Sequence, residues 1–297
     1  MDEARTVSAL GSLRPNLHAR IFVLETTDLT IRFGGHVAVD HVSCRFEPGT
    51  LTAIVGPNGA GKTTFFNLVS GQLPASEGKV ELDGEDITRL PASTRTRRGL
   101  GRAFQLTQLF PNLSVLENVR LAVQARCGGG LALFKVWLDH AEWIVEADDL
   151  LRAVQLFDKR DVPAAALPHG DQRKLEVALL MALTPKVYMF DEPTAGMSVD
   201  DAPVVLDLIR TLKARRDRTI LLVEHKMDVV RELADRIIVL HNGQLVADGE
   251  PEEVIAMPVV QEAYLGTAGA EAGAGTPGQG RSPSRPLPSE RGGSWHE

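Results

Sequence analysis

The chain has 297 residues, 43% hydrophobic and 24% charged, the make-up of a globular chain with room for one large α/β domain. Its formal net charge of -7 argues against a non-specific nucleic-acid binder, whose surface is usually basic. No apolar run approaches the ~18–20 residues of a membrane-spanning helix, and Met1–Arg20 lacks the apolar core of a secretory signal, so any membrane span is expected on another chain.

Residues 1–20 read as a loose extension. Val42, Cys44 and Phe46 then alternate with polar neighbours, the pattern of a half-buried strand. Leu51–Val55 is a short apolar run, as in a strand buried on both faces. A glycine-rich turn and a helical stretch through Leu68 follow, and a further strand is expected to end at the Asp83-Gly84 turn. From about Leu113 to Ala166 the strand signals vanish and apolar residues such as Leu116, Val119, Ile144 and Leu151 recur at helical spacings, with Gly128-Gly129-Gly130 as a break. This block reads as a helical subdomain inserted in an α/β core. Lys186–Phe190 and Thr219–Val223 are buried strands, separated by a helix with Val205, Leu208, Ile209 and Leu212 on one face. Asn242-Gly243 between two apolar runs signals a hairpin. Strands alternating with helices imply a mainly parallel sheet. Residues 267–297, rich in Gly, Ala, Ser and Pro, have the composition of a disordered tail. Cys44 and Cys127 lie in no metal-ligand spacing and read as reduced thiols, as suits the cytoplasm.

The sharpest chemical signal is Gly56-Pro57-Asn58-Gly59-Ala60-Gly61-Lys62-Thr63, followed by Thr64. It fits G-x-x-x-x-G-K-[ST] between a buried strand and a helix. Glycines let backbone N–H groups curl around phosphates, the helix N-terminus favours an anion, Lys62 brings a point charge and the Thr63 hydroxyl can ligate Mg²⁺. The expected ligands are a nucleoside triphosphate and Mg²⁺. Asp191-Glu192 follow a buried strand directly, which places Asp191 to hold the magnesium and Glu192 to act as general base on water. The alternative is a pair of helix N-cap acids. His225 follows the next strand, where it would meet the γ-phosphate, against the alternative of an ordinary surface or core histidine.

In this order and spacing, the phosphate loop, Gln105 in RAFQ, Leu167-Pro168-His169-Gly170-Asp171, Asp191-Glu192-Pro193 and His225 resemble the ATP-binding-cassette family, over about Leu24 to Gly266. The resemblance implies a P-loop NTPase core of the ABC ATPase type with an antiparallel β subdomain, the cassette at about 21–266 and its helical subdomain at about 106–183. It implies that Phe33 stacks on adenine, a core phenylalanine being the alternative. It implies that Gln105 contacts Mg²⁺ and the attacking water, and that Leu167–Asp171 forms the signature that closes on the ATP of a second cassette. Pro168 departs from the usual L-S-G-G-Q, removing a hydroxyl, and ATP held by this signature is expected to be bound or hydrolysed less well. AGMS at Ala195–Ser198, VEHKMDVV and the closing EEVIAMPVVQEAYLG resemble the ATP-binding subunits of branched-chain amino acid importers, with urea or amide importers as cousins.

The resemblance implies membrane-spanning permease subunits and a second ATPase chain as partners, a substrate-binding protein indirectly, no nucleic acid, and a peripheral place on the cytoplasmic face of the membrane. Arg95, Arg97, Arg98 and Arg102 read as a solvated basic face, the alternative being a contact with a membrane subunit or acidic lipid. Two rival readings are a soluble cassette ATPase acting on DNA or ribosomes and a weakly hydrolysing regulatory module. One cassette and no sustained heptads oppose the first; intact Lys62, Asp191 and Glu192 oppose the second. Lipid or lipopolysaccharide export is a third, which RAFQ and VEHKMDVV disfavour.

Overall fold

The computed structural model describes residues 24–103, 109–128 and 141–262. Two sheets sandwich a helix. In the first sheet β1 (Leu24–Phe33) pairs antiparallel with β2 (His36–Phe46) on one side and β4 (Glu77–Leu82) on the other, and β5 (Glu85–Asp86) closes the edge. Register shifts around Asp28 bulge β1. The buried Thr26 hydroxyl bridges to β2, accepting from the Cys44 N–H at 3.0 Å and donating to the Val42 carbonyl at 3.2 Å.

The second sheet carries the chemistry. Its central strands, β3 (Leu51–Val55), β7 (Val187–Asp191) and β8 (Thr219–Val223), are buried throughout, which is why they read as unbroken apolar runs. With β6 (Leu100–Ala103), β9 (Arg236–His241) and β10 (Gln244–Gly249), the order is β10-β9-β3-β8-β7-β6. Every pair is parallel except β9–β10, so the C-terminal ends of five strands share one edge. The β9–β10 hairpin turns at Asn242 (φ 48) and Gly243 (φ 81), the two positive φ values of a type I′ turn.

One face of this sheet packs on α1 (Lys62–Ser70), whose Phe65, Phe66, Leu68 and Val69 are buried between Met189, Leu221 and Ile238 and the apolar face of the antiparallel sheet. Each phenylalanine contributes roughly 1.5–3 kcal/mol by leaving water. The other face, with Val55, Tyr188, Phe190 and Leu222, meets α5 (His169–Leu183) and α6 (Ala202–Ala214). Three helices, α3 (Val115–Arg126), α4 (Ala141–Ala153) and α5, pack on one another. Ser114 caps α3 by accepting from the Glu117 N–H at 3.1 Å. Arg126 joins all three, with Glu146 on α4 and the Ala182 carbonyl on α5. The described chain also holds the short helices α2 (Ala92–Arg97), α7 (Met227–Leu233) and α8 (Pro251–Ala256) and the 3-10 turns Phe157–Lys159 and Ala164–Ala166. Residues 1–20 and 267–297 lie outside the described residues, as do parts of the expected helical block.

The expected solvated basic face is corrected by the structure. Arg97 is exposed and the half-buried Arg98 pairs with Glu85, but Arg95 and Arg102 are buried. Arg95 donates to the Leu68 and Val69 carbonyls at 2.7 and 2.6 Å, satisfying acceptors that the end of α1 leaves open. It also donates to the Leu90 and Thr88 carbonyls. A run of arginines in sequence therefore splits between surface and interior according to which carbonyls lie within reach.

Candidate active site

The loop Gly56–Gly61 leaves the end of β3 and enters α1. Gly56 has φ 150, and a Cβ there would lie 2.1 Å from the Leu240 carbonyl oxygen on β9. At Gly61 (φ 97) a Cβ would lie 2.5 Å from the Ala38 carbonyl. Both glycines are therefore demanded by close backbone approach. The Ala60 N–H donates to the Pro57 carbonyl, and the Gly243 N–H of the β9–β10 turn donates to the Ala60 carbonyl at 3.0 Å, so the hairpin braces the loop. Asn58 and Gly59 form its exposed crest, and Thr63 is exposed while Thr64 is half-buried in the first turn of α1. That turn holds no acidic residue, which suits an anion at the helix N-terminus. Lys62 is buried and donates to the Gly56 and Pro57 carbonyls at 2.8 and 3.0 Å. Burial pulls its pKa down, opposed by the charges of Glu192 and Asp191.

Those two carboxylates leave the end of β7. Asp191 ends the strand and α6 begins only at Ala202, so the N-cap alternative does not hold. Asp191 is buried and its Oδ2 accepts from Arg102 Nη2 at 2.6 Å. Burial lowers the Arg102 pKa, and the charge and hydrogen bond of Asp191 oppose that. Glu192 sits in left-handed backbone (φ 52), a conformation costing about 1–3 kcal/mol in a residue other than glycine. It is held there by its N–H to the Val223 carbonyl and by its own carbonyl, which accepts from Ala195 N–H. Its Oε1 lies 2.6 Å from His225 Nε2, and both side chains are part-exposed. Behind them, buried Thr194 donates its hydroxyl to buried Glu224 Oε1 at 2.7 Å, while Glu224 Oε2 accepts from the His225 and Lys226 N–H groups. The loops after β7 and β8 are thereby locked together.

These residues suit Mg²⁺. The Thr63 hydroxyl and Asp191 Oδ1 are hard oxygen donors, and neither carries a hydrogen bond to protein among the described residues. No group of three or more His, Cys, Asp or Glu among the described residues could hold a metal alone. A cation brought in by phosphates and water, with one or two protein oxygens, is what such a donor set fits.

The comparisons with known proteins agree with this geometry. A family model described as ABC transporter matches residues 39–195, more than half of the chain, and one described as branched-chain amino acid ATP-binding cassette transporter matches residues 244–270. The BraF high-affinity branched-chain amino acid transport ATP-binding protein of Pseudomonas aeruginosa is 37% identical over 83% of this chain and 98% of its own. Its counterpart LivG of Escherichia coli K12 is 36% identical over 83% and 98%. The chain belongs to the ABC transporter family.

Solved ABC cassettes share its shape. A nucleotide-free ATP-binding cassette from an ABC transporter superposes with a TM-score of 0.68 at 31% identity, covering 82% of this chain and 98% of that one. A cassette in its ADP conformation gives 0.67 at 32%, covering 82% and 99%. This ABC cassette binds and hydrolyses ATP, as the ATP-binding subunits of the family do. No helix among its described residues is long and apolar enough to cross a membrane.

Other sequence-expected residues of the cassette lie apart from this cluster or outside it. Phe33, at the β1–β2 turn, is 50% exposed, which removes the core alternative. Leu167, Pro168, His169, Gly170 and Asp171 open α5, with Leu167 buried and Pro168 and His169 exposed. Asp171 is buried and pairs with Lys159 and Lys174, and Lys174 reaches on to Asp201. Gln105 lies outside the described residues. Thr194 and Glu224 are not among the residues expected from the sequence, and Arg102 is expected there only as part of a basic face. The signal for Glu224 was a charged residue directly after a buried strand and before His225, and Arg102 was masked by its basic neighbours.

Proposed function

We propose that this chain is the ATPase subunit that powers import of branched-chain amino acids through separate membrane-spanning subunits. The observation that carries the hydrolytic half is the Glu192–His225 contact at 2.6 Å, on loops beside Lys62. The names of the relatives, matched over almost their whole length, support the solute. In this reading the N–H groups of the loop and Lys62 bind the β- and γ-phosphates, and Phe33 meets the base. Glu192 accepts a proton from water as its oxygen attacks the γ-phosphorus and the bond to the β-phosphate oxygen breaks, releasing ADP and phosphate. His225 fixes the carboxylate of Glu192 for that step. Thr63, Asp191 and, as the family resemblance implies, Gln105 would hold Mg²⁺, which would neutralise charge on the phosphates. Leu167–Asp171 serves the nucleotide of a second cassette, and closure of the pair drives the membrane subunits.

The test is affinity purification of the tagged full chain from gently solubilised membranes, followed by reconstitution of what is recovered. Two multi-span proteins and a second cassette ATPase are expected, with ATP-dependent uptake of leucine, isoleucine or valine that a Glu192→Gln chain abolishes. Recovery without any membrane protein refutes the transport reading. Undiminished hydrolysis by Glu192→Gln refutes the general-base assignment.

A further inference from the structure

Arg102 has no exposed side-chain surface, yet it stands on the edge strand β6, paired in register with Met189 of β7. Its Nη1 donates to Asn67 Oδ1 at 2.6 Å and Ser70 Oγ at 3.0 Å, both in the last turns of α1, and to Gln72 Oε1 at 3.4 Å. Its Cζ lies 5.4 Å from the centre of the Phe66 ring, also on α1. Nη2 takes Asp191 Oδ2 at 2.6 Å. The guanidinium is planar and its donors form a fixed fork, so contacts on one side dictate the direction of the other. The partners on α1 thus set where Asp191 is held.

A buried ion pair is a weak device for stability, because apolar side chains of similar volume usually do as well. The residue type therefore calls for another reason. We propose that Arg102 is a positioning residue for Asp191, tying its Oδ2 to α1 so that Oδ1 and the Thr63 hydroxyl at the other end of α1 keep one fixed relation for the cation of the bound nucleotide. This rests on the reading of Asp191 as the carboxylate that holds that cation. An apolar residue at position 102 fills the space but releases the carboxylate to rotate, and metal sites that lose such an outer support typically lose about 10–100-fold in affinity.

The experiment uses the full-length chain with Arg102→Met, Arg102→Lys and Asp191→Asn. ATP affinity is measured in EDTA and across a Mg²⁺ titration, and Mn²⁺ binding with ATP is followed by electron paramagnetic resonance. Arg102→Met is expected to keep its metal-free ATP affinity while needing about tenfold more Mg²⁺ or Mn²⁺ for half-saturation. Arg102→Lys, which keeps the charge but not the fork, is expected to fall between. An unchanged metal requirement, or equal losses with and without metal, overturns the proposal. If melting shows that Arg102→Met does not fold, the same titration of Arg102→Lys decides, and an unshifted midpoint overturns it. Asp191→Asn separates the two readings. If its metal requirement is unshifted, the assignment of Asp191 fails; if it shifts while Arg102→Met does not, only the role of Arg102 fails.

Discussion

Replacing Pro168 by serine separates two effects that the signature helix combines. Pro168 is the N-cap of α5, with φ -56 and ψ 156, and it makes no side-chain cap. Serine adopts that backbone without strain, and its hydroxyl can accept from an orphan N–H of the first turn, worth about 0.5–2 kcal/mol. Losing proline restores unfolded-state freedom and costs roughly 0.4–1 kcal/mol. The two nearly cancel, so the melting temperature should move by no more than about 2–4 °C. A hydroxyl that reaches the γ-phosphate of a facing nucleotide adds a charge-assisted hydrogen bond of about 1.5–3 kcal/mol. If that bond forms in the transition state, hydrolysis accelerates roughly ten- to a hundredfold. The assay is steady-state ATPase of the reconstituted transporter at saturating ATP, with Pro168→Ala as the control that removes proline without adding oxygen. A Pro168→Ser complex with the turnover and ATP affinity of its parent would refute the idea that the missing hydroxyl limits this signature.

Three other outcomes follow from the packing. Thr194→Val removes the hydroxyl that donates to buried Glu224, a charged acceptor, and should cost about 2 kcal/mol and roughly 4–8 °C of melting temperature, with Thr194→Ser restoring most of it. Asp201 has its pKa held below 3.8, chiefly by the hydrogen bond from Lys174 and then by that from Ser198. Its contribution to stability is thus present above about pH 3.8 and lost as pH falls through the lowered folded value; Asp201→Asn should flatten that limb of an acid-unfolding curve. Cys127 is exposed and Cys44 is buried, with its thiol pushed up to about 12 by burial. One thiol should therefore react promptly with a disulfide reagent in the native protein and the second only on unfolding.

What the sequence disclosed depended on how regular each segment is. Leu51–Val55, Val187–Asp191 and Thr219–Val223 are buried on both faces, so their apolar runs are plain to read. The Asn242-Gly243 hairpin announces itself because only a few residues accept two positive φ values. β1 was not read as a strand: its bulge at Asp28 and its buried Thr26 and Thr30 break the alternation on which such a reading rests. β6 was missed for another reason. Its Gly101 and Arg102 look unlike a buried strand until α5 is seen over the glycine, where a Cβ would lie 2.6 Å from Leu180, and Asp191 is seen beside the arginine. Asp191, Glu192 and His225 could be picked out because each lies at or just past the C-terminal end of a buried strand. Their mutual geometry could not, since it rests on strand order and on a left-handed glutamate.

Strand order also explains how the labour is divided between the two carboxylates. Ile54 pairs with Val223 and Val223 with Asp191, so one row crosses the sheet from the phosphate-loop strand to the acidic one with β8 between them. Two strand spacings separate β3 from β7 by about 9–10 Å. A carboxylate on the adjacent strand would crowd phosphates leaving the end of β3, whereas one strand further out leaves width for them and for a hydrated cation. The intervening strand is used as well, because its end delivers His225 opposite Glu192, while Glu224 behind it ties the two loops together. Asp191, paired with buried Arg102, has the restraint that the proposed metal ligand needs. Glu192, part-exposed and held at one oxygen by a histidine, keeps the freedom that taking a proton requires. In the proposed reading this pair of consecutive acids performs two tasks because the backbone turns left-handed at Glu192 and, among the described residues, the arginine faces Asp191.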